Sequence, residues 1–168
     1  MATALRRESD QAAIVGADFS RGMLTRGQRK FSSSAIAAVE ADALQLPFPD
    51  RSFDLVVSAF GFRNLANYDA GLREIYRVLR PEGEVGILDF SEPWGILGKV
   101  YGFYFRNVLP KIGTLLSGVS GPYSYLPASV SRFPSPNEML DRMRIVGYAD
   151  ALWRPYTFGI AGLYRGRK

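Results

Sequence analysis

The chain has 168 residues, of which 47% are apolar and 22% charged, a composition typical of one globular domain. It contains no cysteine and no histidine, which excludes disulfides, thiolate or imidazole metal sites, Cys nucleophiles and His general bases. The net charge of +5 favours an anionic partner such as a nucleic acid, a membrane surface or a charged cofactor, or it is simply solvated surface charge.

The chain begins with an alternation of predicted strands and helices. Residues 12–17 form a short apolar run that predicts a strand ending at Asp18. Ser20 is a suitable N-cap for a helix that follows this strand. Residues 35–40 form the next periodic run. This order predicts an α/β domain with a mainly parallel sheet.

Residues 41–64 read ADALQLPFPDRSFDLVVSAFGFRN and combine an acidic turn, a proline-rich loop and an apolar run. The run, residues 53–60, is rich in β-branched and aromatic residues and is bounded by turn formers. It therefore predicts a strand buried in a parallel sheet. Polar groups that follow such a strand lie where open α/β sheets bind their ligands, and here these groups are Arg63 and Asn64.

A helix and a further strand are predicted after this stretch. Residues 69–79 carry apolar side chains at helical spacing, with Asn67 or Asp69 as the N-cap and residues 80–83 as a stop signal. A strand over residues 85–90 follows. Such a strand–helix–strand unit is expected to extend the parallel sheet.

The last part of the chain is predicted to close the domain. Residues 92–134 are rich in aromatics, glycines and prolines, which indicates an insertion on the substrate side of the sheet. It either covers the core or contacts lipid head groups. Ser135 and Glu138 predict a capping box that starts a helix. Residues 148–154 and 157–164 predict a closing pair of antiparallel strands.

Two acidic positions are candidates for nucleotide recognition. Asp18 ends a strand before a helix, where a carboxylate can accept hydrogen bonds from ribose hydroxyls, although a plain helix cap is equally common there. Asp42 and Ala43 form an acidic turn that could accept from an adenine amino group or simply cap the turn. The glycine-rich turn of a dinucleotide fingerprint would lie before residue 1. Neither acid has the spacing of a metal site.

Arg63 and Asn64 form the polar pair best suited to catalysis. The pKa of an arginine side chain is so high that the group stays protonated and cannot serve as a base. It can still stabilise a developing phenolate or hold a water that takes the proton. The alternative is that Arg63 pairs with a surface acid while Asn64 caps the following turn. Tyr123 and Tyr125 either contact an aromatic substrate or pack within a loop.

The chain strongly resembles the ubiquinone/menaquinone biosynthesis C-methyltransferase family from about Val15 to its last residue. Members are class I S-adenosylmethionine-dependent methyltransferases that methylate a ring carbon of demethylmenaquinol or of a demethoxy-ubiquinol precursor. The resemblance implies a Rossmann-like sheet with a closing antiparallel strand pair, S-adenosylmethionine as cofactor and a polyprenylated quinol as substrate. It is carried by residues 41–64, 77–93, 108–118, 123–134 and 159–168.

The resemblance also assigns roles on the cofactor side of the site. It places Asp18 at the ribose-binding acid and Asp42 with Ala43 at the adenine-side turn. Ala59 stands where many members have a cofactor-contacting serine, while Ser58 is shifted by one position. The cofactor contact at this position is therefore a point where the chain departs from the family.

On the substrate side, the resemblance matches Phe62, Arg63 and Asn64 to the active-site signature of the family. It matches Tyr123 and Tyr125 to the YRYL segment. The expected role of these residues is to hold the quinol and to stabilise its phenolate. The match is specific because the matching segments are long and follow one another in the order found in the family.

The first strand of the family and its glycine-rich loop have no counterpart in residues 1–168, so the single domain is expected to be truncated at its N-terminus. A buried strand of that kind contributes up to about 8–18 kcal/mol, which is comparable with the stability of a whole domain. We therefore expect incomplete folding and weak cofactor binding, and we interpret the difference as a start codon assigned too late.

The expected partners follow from the resemblance. They are a lipid-soluble quinol and no nucleic acid, in a cytoplasmic protein, with peripheral contact at the inner membrane face and homodimerisation left open. Two alternatives remain at this point. One is a class I methyltransferase that acts on another small molecule or on RNA, and the other is an inactive, cofactor-free fragment.

Overall fold

The computed structural model describes residue 5 and residues 11–31, 36–91 and 125–168. Within these residues the chain forms an α/β fold. In chain order the elements are β1 (Ile14–Asp18), α1 (Arg21–Phe31), β2 (Ile36–Glu40), β3 (Phe53–Ala59), α2 (Tyr68–Val78), β4 (Leu79–Phe90), α3 (Tyr125–Arg132), α4 (Pro136–Val146), β5 (Ala149–Tyr156) and β6 (Ala161–Arg167). Short 3-10 turns cover Phe62–Asn64 and Thr157–Gly159.

The strands form two sheets. β1 and β2 pair in parallel, and the larger sheet has the order β3–β4–β6–β5. β3 and β4 are parallel, whereas β6 is antiparallel to both β4 and β5. The predicted parallel pairing and the closing antiparallel pair are thus confirmed.

The prediction that β3 is a buried strand is wrong in its burial. None of its residues is fully buried, and Leu55 is 46% exposed. The reason is its position: within the described residues β3 pairs only with β4, so its other side is a sheet edge. The apolar sequence is typical of a central strand, but here the strand lies at the edge of the sheet.

The predicted helix caps are confirmed. The Asn67 side chain accepts a hydrogen bond from the amide of Ala70, so Asn67 rather than Asp69 is the N-cap of α2. Ser135 and Glu138 form a reciprocal capping box at the start of α4. α4 ends at Gly147, whose φ of 115° is in the left-handed region that favours glycine.

The predicted stop signal at residues 80–83 is confirmed, because α2 ends at Val78, but β4 begins directly after it at Leu79 and not at residue 85. Long-range pairing explains the early start. The amide of Glu82 donates to the carbonyl of Lys168, and the amide of Lys168 donates to the carbonyl of Gly83. These bonds hold the segment beside the end of the chain, while Glu82 has the positive φ of 65° that is typical of a turn.

The last strand begins later than predicted, at Ala161 instead of residue 157. Thr157 and Phe158 have φ values of 49° and 57°, which are incompatible with a strand and form the 3-10 turn instead. β5 continues through Pro155 to Tyr156. Proline is tolerated because β5 lies at the edge of the sheet, where its missing amide donor is not needed.

The predicted insertion, residues 92–134, lies outside the described residues up to residue 124. The described end of this segment is helical, because α3 runs from Tyr125 to Arg132. No helix in the described part of the chain is long and apolar enough to cross a membrane.

The main core lies between α2, α4 and the larger sheet. It consists of apolar side chains from the helices, from β4 and from the end of the chain, packed around the fully buried Tyr164. Because β4 is paired on both sides in this sheet, its residues from Gly83 to Phe90 alternate between buried and half-buried. The most deeply buried core members are Leu72, Leu79, Val85, Ile87, Met139, Met143 and Tyr164.

Candidate active site

A sharp turn follows β3 and positions the predicted catalytic pair. Phe60 adopts the left-handed conformation with φ of 58°, while its amide still donates to the carbonyl of Leu88 on β4 at 2.8 Å. The chain then enters the 3-10 turn Phe62–Asn64. A non-glycine residue with positive φ is an uncommon, strained conformation that occurs preferentially at functional sites. The turn directs Arg63 back towards the sheet.

Arg63 is buried, with only 7% of its surface exposed. Its Nη1 donates to Asp89 Oδ1 at 3.0 Å, and its main-chain amide donates to Asp89 Oδ2 at 2.9 Å. Nη1 also donates to the carbonyl of Phe60. The alternative in which Arg63 pairs with a surface acid is wrong, because its partner Asp89 has no exposed surface.

The Arg63 guanidinium lies beside the aromatic ring of Phe90. Its Cζ lies 5.3 Å from the centroid of the Phe90 ring, and the Phe60 and Phe90 rings are 4.7 Å apart. Tyr68 donates its hydroxyl to the Arg63 carbonyl at 3.1 Å. A cation over the face of an aromatic ring is attracted to it, and here the ring is that of Phe90. The arrangement suits a flat, aromatic substrate that develops negative charge.

Two tyrosines lie close to the Arg63–Asp89 pair. Burial raises the pKa of Tyr68, and both burial and the nearby Asp89 carboxylate raise the pKa of Tyr164. Both phenols are therefore neutral near pH 7 and do not serve as bases there. Within the described residues, the Tyr164 hydroxyl and the Arg63 Nε have no hydrogen-bond partner.

Asn64 ends the 3-10 turn and is exposed, directly beside the buried Arg63. The N-cap of the helix that follows is Asn67 and not Asn64, while the alternative in which Asn64 caps the following turn stays a prediction. Asn64 presents an amide at the surface, directly after Arg63 in the sequence. An exposed amide can donate to or accept from a substrate oxygen.

The structure brings together the candidate cofactor residues of the smaller sheet. Asp18 ends β1, and its carbonyl accepts from the amide of Ala41, so Asp42 and Ala43 follow at the end of the neighbouring strand. Both carboxylates are exposed. Asp18 Oδ1 accepts from the amide of Ser20, and Asp42 Oδ1 accepts from the amide of Leu44, each at 2.8 Å.

These carboxylates therefore stabilise local turns, as the alternative interpretation of each residue predicts, and their contacts with a nucleoside stay a prediction. Each has a second oxygen at an exposed strand end, and this chemistry fits the ribose hydroxyls and the amino group of a nucleoside. Ala59 ends β3 in the larger sheet and is half-buried. These carboxylate acceptors thus fit the hydroxyl and amino donors of S-adenosylmethionine, with Asp18 and Asp42 as the residues that would hold its nucleoside.

The tyrosine candidates are only partly placed. Tyr123 lies outside the described residues, and Tyr125 is the first residue of α3, with a side chain that is not described. Sequence reasoning missed Asp89, which directly precedes Phe90 at the end of β4. Its signal was available, because an acid at the carboxyl end of a strand beside β3 lies next to the residues that follow β3.

Solved structures share this fold at low sequence identity. A methyltransferase dependent on S-adenosylmethionine from Aquifex aeolicus superposes with a TM-score of 0.65 at 15% identity, covering 95% of this chain and 70% of its own. One from Mesorhizobium loti gives a TM-score of 0.67 at 15% identity, covering 99% and 85%. The fold is that of the class I S-adenosylmethionine-dependent methyltransferases.

The sequence comparisons narrow this class. The model of the ubiE/COQ5 methyltransferase family matches residues 1–168, and the chain belongs to this family. The demethylmenaquinone methyltransferase of Deinococcus radiodurans is 46% identical over 98% of this chain and 69% of its own length. That of Thermus thermophilus is 44% identical over 99% and 76%. A ubiquinone/menaquinone biosynthesis C-methyltransferase of Geobacter sulfurreducens is 46% identical over 97% and 65%.

Proposed function

We propose that this protein transfers a methyl group from S-adenosylmethionine to a ring carbon of a polyprenylated quinol precursor in menaquinone or ubiquinone biosynthesis. The observation that carries the proposal is the buried Arg63 guanidinium, held between Asp89 and the Phe90 ring directly after β3. Relatives that are 44–46% identical are named for demethylmenaquinone methylation or for ubiquinone/menaquinone biosynthesis. The site offers the charge that such a reaction needs.

The smaller sheet and the end of β3 form the proposed cofactor side. Asp18 would accept from the ribose hydroxyls, Asp42 and Ala43 would line the adenine, and Ala59 would contact the cofactor near the end of β3. When bound, S-adenosylmethionine supplies a methyl group on a positively charged sulfur. These residues hold that methyl group in a fixed direction, which lowers the entropy cost of reaction.

Arg63 has the central role on the substrate side. Loss of a quinol hydroxyl proton makes the neighbouring ring carbon nucleophilic, and a fixed positive charge stabilises the resulting phenolate. Arg63 holds this charge, and it can also orient a water that takes the proton. With S-adenosylmethionine bound, this ring carbon would receive the methyl group as S-adenosylhomocysteine leaves, and the ring proton would pass to water so that the ring regains its aromaticity. Asn64 adds a hydrogen bond to the phenolate oxygen.

Tyr123 and Tyr125 complete the proposed substrate side by contacting the quinol ring. Tyr68 and Tyr164 do not take the proton, since the pKa of each is raised. Residues 92–134 house the substrate within a single domain that spans residues 1–168. A lipid-soluble quinol and the net charge of +5 support peripheral contact with the inner face of the membrane in the cytoplasm. Homodimerisation is a further proposal.

The proposal is tested by incubating the full chain with S-adenosylmethionine and a reduced demethylmenaquinone. We expect a quinol heavier by one methyl group, formed in equal amount with S-adenosylhomocysteine, as measured by mass spectrometry. Calorimetry with S-adenosylmethionine distinguishes the alternatives. Binding heat without quinol methylation would indicate another substrate, such as a different small molecule or an RNA. The absence of binding heat would indicate a cofactor-free fragment.

A further inference from the structure

We propose that Asp89 is a positioning residue, which acts on the reaction by fixing Arg63 in both its main chain and its side chain. The inference rests on the proposed role of Arg63 and extends it to a second residue on the neighbouring strand. Three features of the molecule support it: the contact of the Asp89 carboxylate with Arg63, the burial of this pair, and the location of Asp89 in the sheet.

The first step is the geometry of the contact. Asp89 Oδ2 accepts from the amide of Arg63, whereas Asp89 Oδ1 accepts from Nη1 of the same residue. A carboxylate that contacted only the guanidinium would leave the backbone free to move. Because both ends of Arg63 are held by one rigid planar group, its side-chain direction is fixed relative to β4.

The second step is the location of Asp89. β4 lies between β3 and β6, and Asp89 pairs in register with Gly162 of β6. Asp89 therefore lies on an internal strand of the larger sheet, which is paired on both sides. Arg63, by contrast, belongs to a short turn that follows an edge strand. Asp89 thus attaches Arg63, which lies in a short turn, to a strand that is paired on both sides.

The third step is the free energy of burial. A carboxylate with no exposed surface is costly unless it is fully paired, and a buried ion pair contributes little net stability compared with apolar side chains of the same size. Asp89 meets this cost with three donors, since Oδ1 also accepts from the amide of Phe90. Stability alone is a weak reason for such a pair, whereas holding a charge at a reaction centre is a strong one.

The fourth step concerns the rest of the guanidinium. Both side-chain hydrogen bonds described for Arg63, to Asp89 and to Phe60, use Nη1, and Nε has no partner within the described residues. Clamping Arg63 by Nη1 leaves Nη2 without a hydrogen bond among the described residues, whereas Nε is buried. A group that is fixed but not saturated is preorganised for a developing anion.

Asp89→Asn tests this role, because it keeps the shape and removes the charge. We expect kcat to fall by about 10- to 100-fold, since a small displacement of a catalytic group costs that much, while KM for S-adenosylmethionine changes by less than about 2-fold. Tyr148→Phe is the matched control. This variant removes a buried hydrogen bond from the Tyr148 hydroxyl to the Leu72 carbonyl and is expected to leave kcat unchanged.

A double-mutant cycle separates positioning from a general structural effect. If Asp89 acts through Arg63, then Asp89→Asn added to Arg63→Met lowers kcat by less than about 2-fold further. An equal loss of kcat in both backgrounds would overturn the proposal. If Asp89→Asn fails to fold, Asp89→Glu replaces it in the cycle, because it keeps the charge and displaces it by one methylene; wild-type kcat in that variant would also overturn the proposal.

A readout independent of turnover keeps this test distinct from that of the proposed function. In the wild type, we expect the Arg63 Nε–H to give a resolved NMR signal that exchanges slowly with water, because it is buried. In Asp89→Asn, exchange should be faster by about 10-fold or more, since opening is no longer opposed by the clamp. Unchanged exchange would contradict the inference even if methylation is confirmed, whereas faster exchange in a chain that methylates no quinol would refute only the proposed function.

Discussion

At the scale of single residues, two buried tyrosines have contrasting hydrogen bonds. Tyr148 donates its hydroxyl to the carbonyl of Leu72 at 3.1 Å, whereas the hydroxyl of Tyr164 has no partner among the described residues. Burial raises the pKa of both, so each phenol is neutral and any difference between them comes from hydrogen bonding. An unpaired buried hydroxyl is a cost that folding must offset.

Replacing each tyrosine with phenylalanine should therefore give different results. Tyr148→Phe loses a hydrogen bond and should lower the free energy of unfolding by about 0.5–1.5 kcal/mol. Tyr164→Phe loses no bond, so the free energy of unfolding should stay the same or rise. Urea denaturation followed by circular dichroism measures both. A loss in Tyr164→Phe as large as that in Tyr148→Phe would show that its hydroxyl has a partner.

At the scale of elements, Arg77 on α2 holds the loop that follows β2. It donates to the carbonyls of Leu46 and Phe48, and it pairs with Asp50 and Glu74. The hydrogen bond from Arg77 lowers the pKa of Glu74, which in turn accepts from the amide of Leu46. A loop with two prolines is thereby fixed to α2, together with the acidic turn at its start.

Arg77→Met should release this loop. We expect the free energy of unfolding to fall by about 1–3 kcal/mol, because several charge-assisted hydrogen bonds are lost at a partly exposed site. Binding of S-adenosylmethionine should also weaken, since Asp42 and Ala43 lie at the start of the loop. Arg73→Met on the exposed face of the same helix is the matched control. Calorimetry that shows equal cofactor affinity in both variants would contradict the coupling of loop and cofactor side.

At the scale of the whole molecule, the described strands form two sheets, and β3 is the edge strand of the larger one because it pairs only with β4 among the described residues. An apolar edge of this kind promotes pairing with another chain. The other edge of the larger sheet is β5, which carries Pro155 and charged residues that discourage such pairing. Leu55 on β3 and Leu152 on β5 are similarly exposed, at 46% and 45%.

Self-association should therefore depend on β3 rather than on β5. Leu55→Lys places a charge on the open edge and should reduce concentration-dependent light scattering. Leu152→Lys adds the same charge at equal exposure and should have a smaller effect. An equal effect of both variants would mean that net charge, and not the β3 edge, governs association.

Local sequence patterns predicted the elements well where the cause is local. The N-cap Asn67, the capping box at Ser135 and the strand β3 all follow from a few neighbouring residues. The features that were missed depend on distant pairing. Arg63 and Asp89 are 26 residues apart and meet only because β3 and β4 are in register, and β4 starts early only because Lys168 pairs with it.

The candidate site was predicted in the same uneven way. The position of Arg63 after β3 followed from the pattern, but its burial and its partner did not, because a charged residue in a turn is ordinarily exposed. The left-handed conformation of Phe60 has no local signal either, since it is imposed by the bond from its amide to Leu88.

The central claim is that the positive charge of Arg63 drives methylation of a quinol ring carbon. It is tested most directly by incubating the wild type and Arg63→Met with methyl-labelled S-adenosylmethionine and a reduced demethylmenaquinone, and by measuring label on the ring. Arg80→Met is the control, because Arg80 forms an exposed pair with Asp54. We predict ring labelling by the wild type and by the control, with a rate lower by about 100-fold or more in Arg63→Met. Equal labelling rates in all three proteins would contradict the claim.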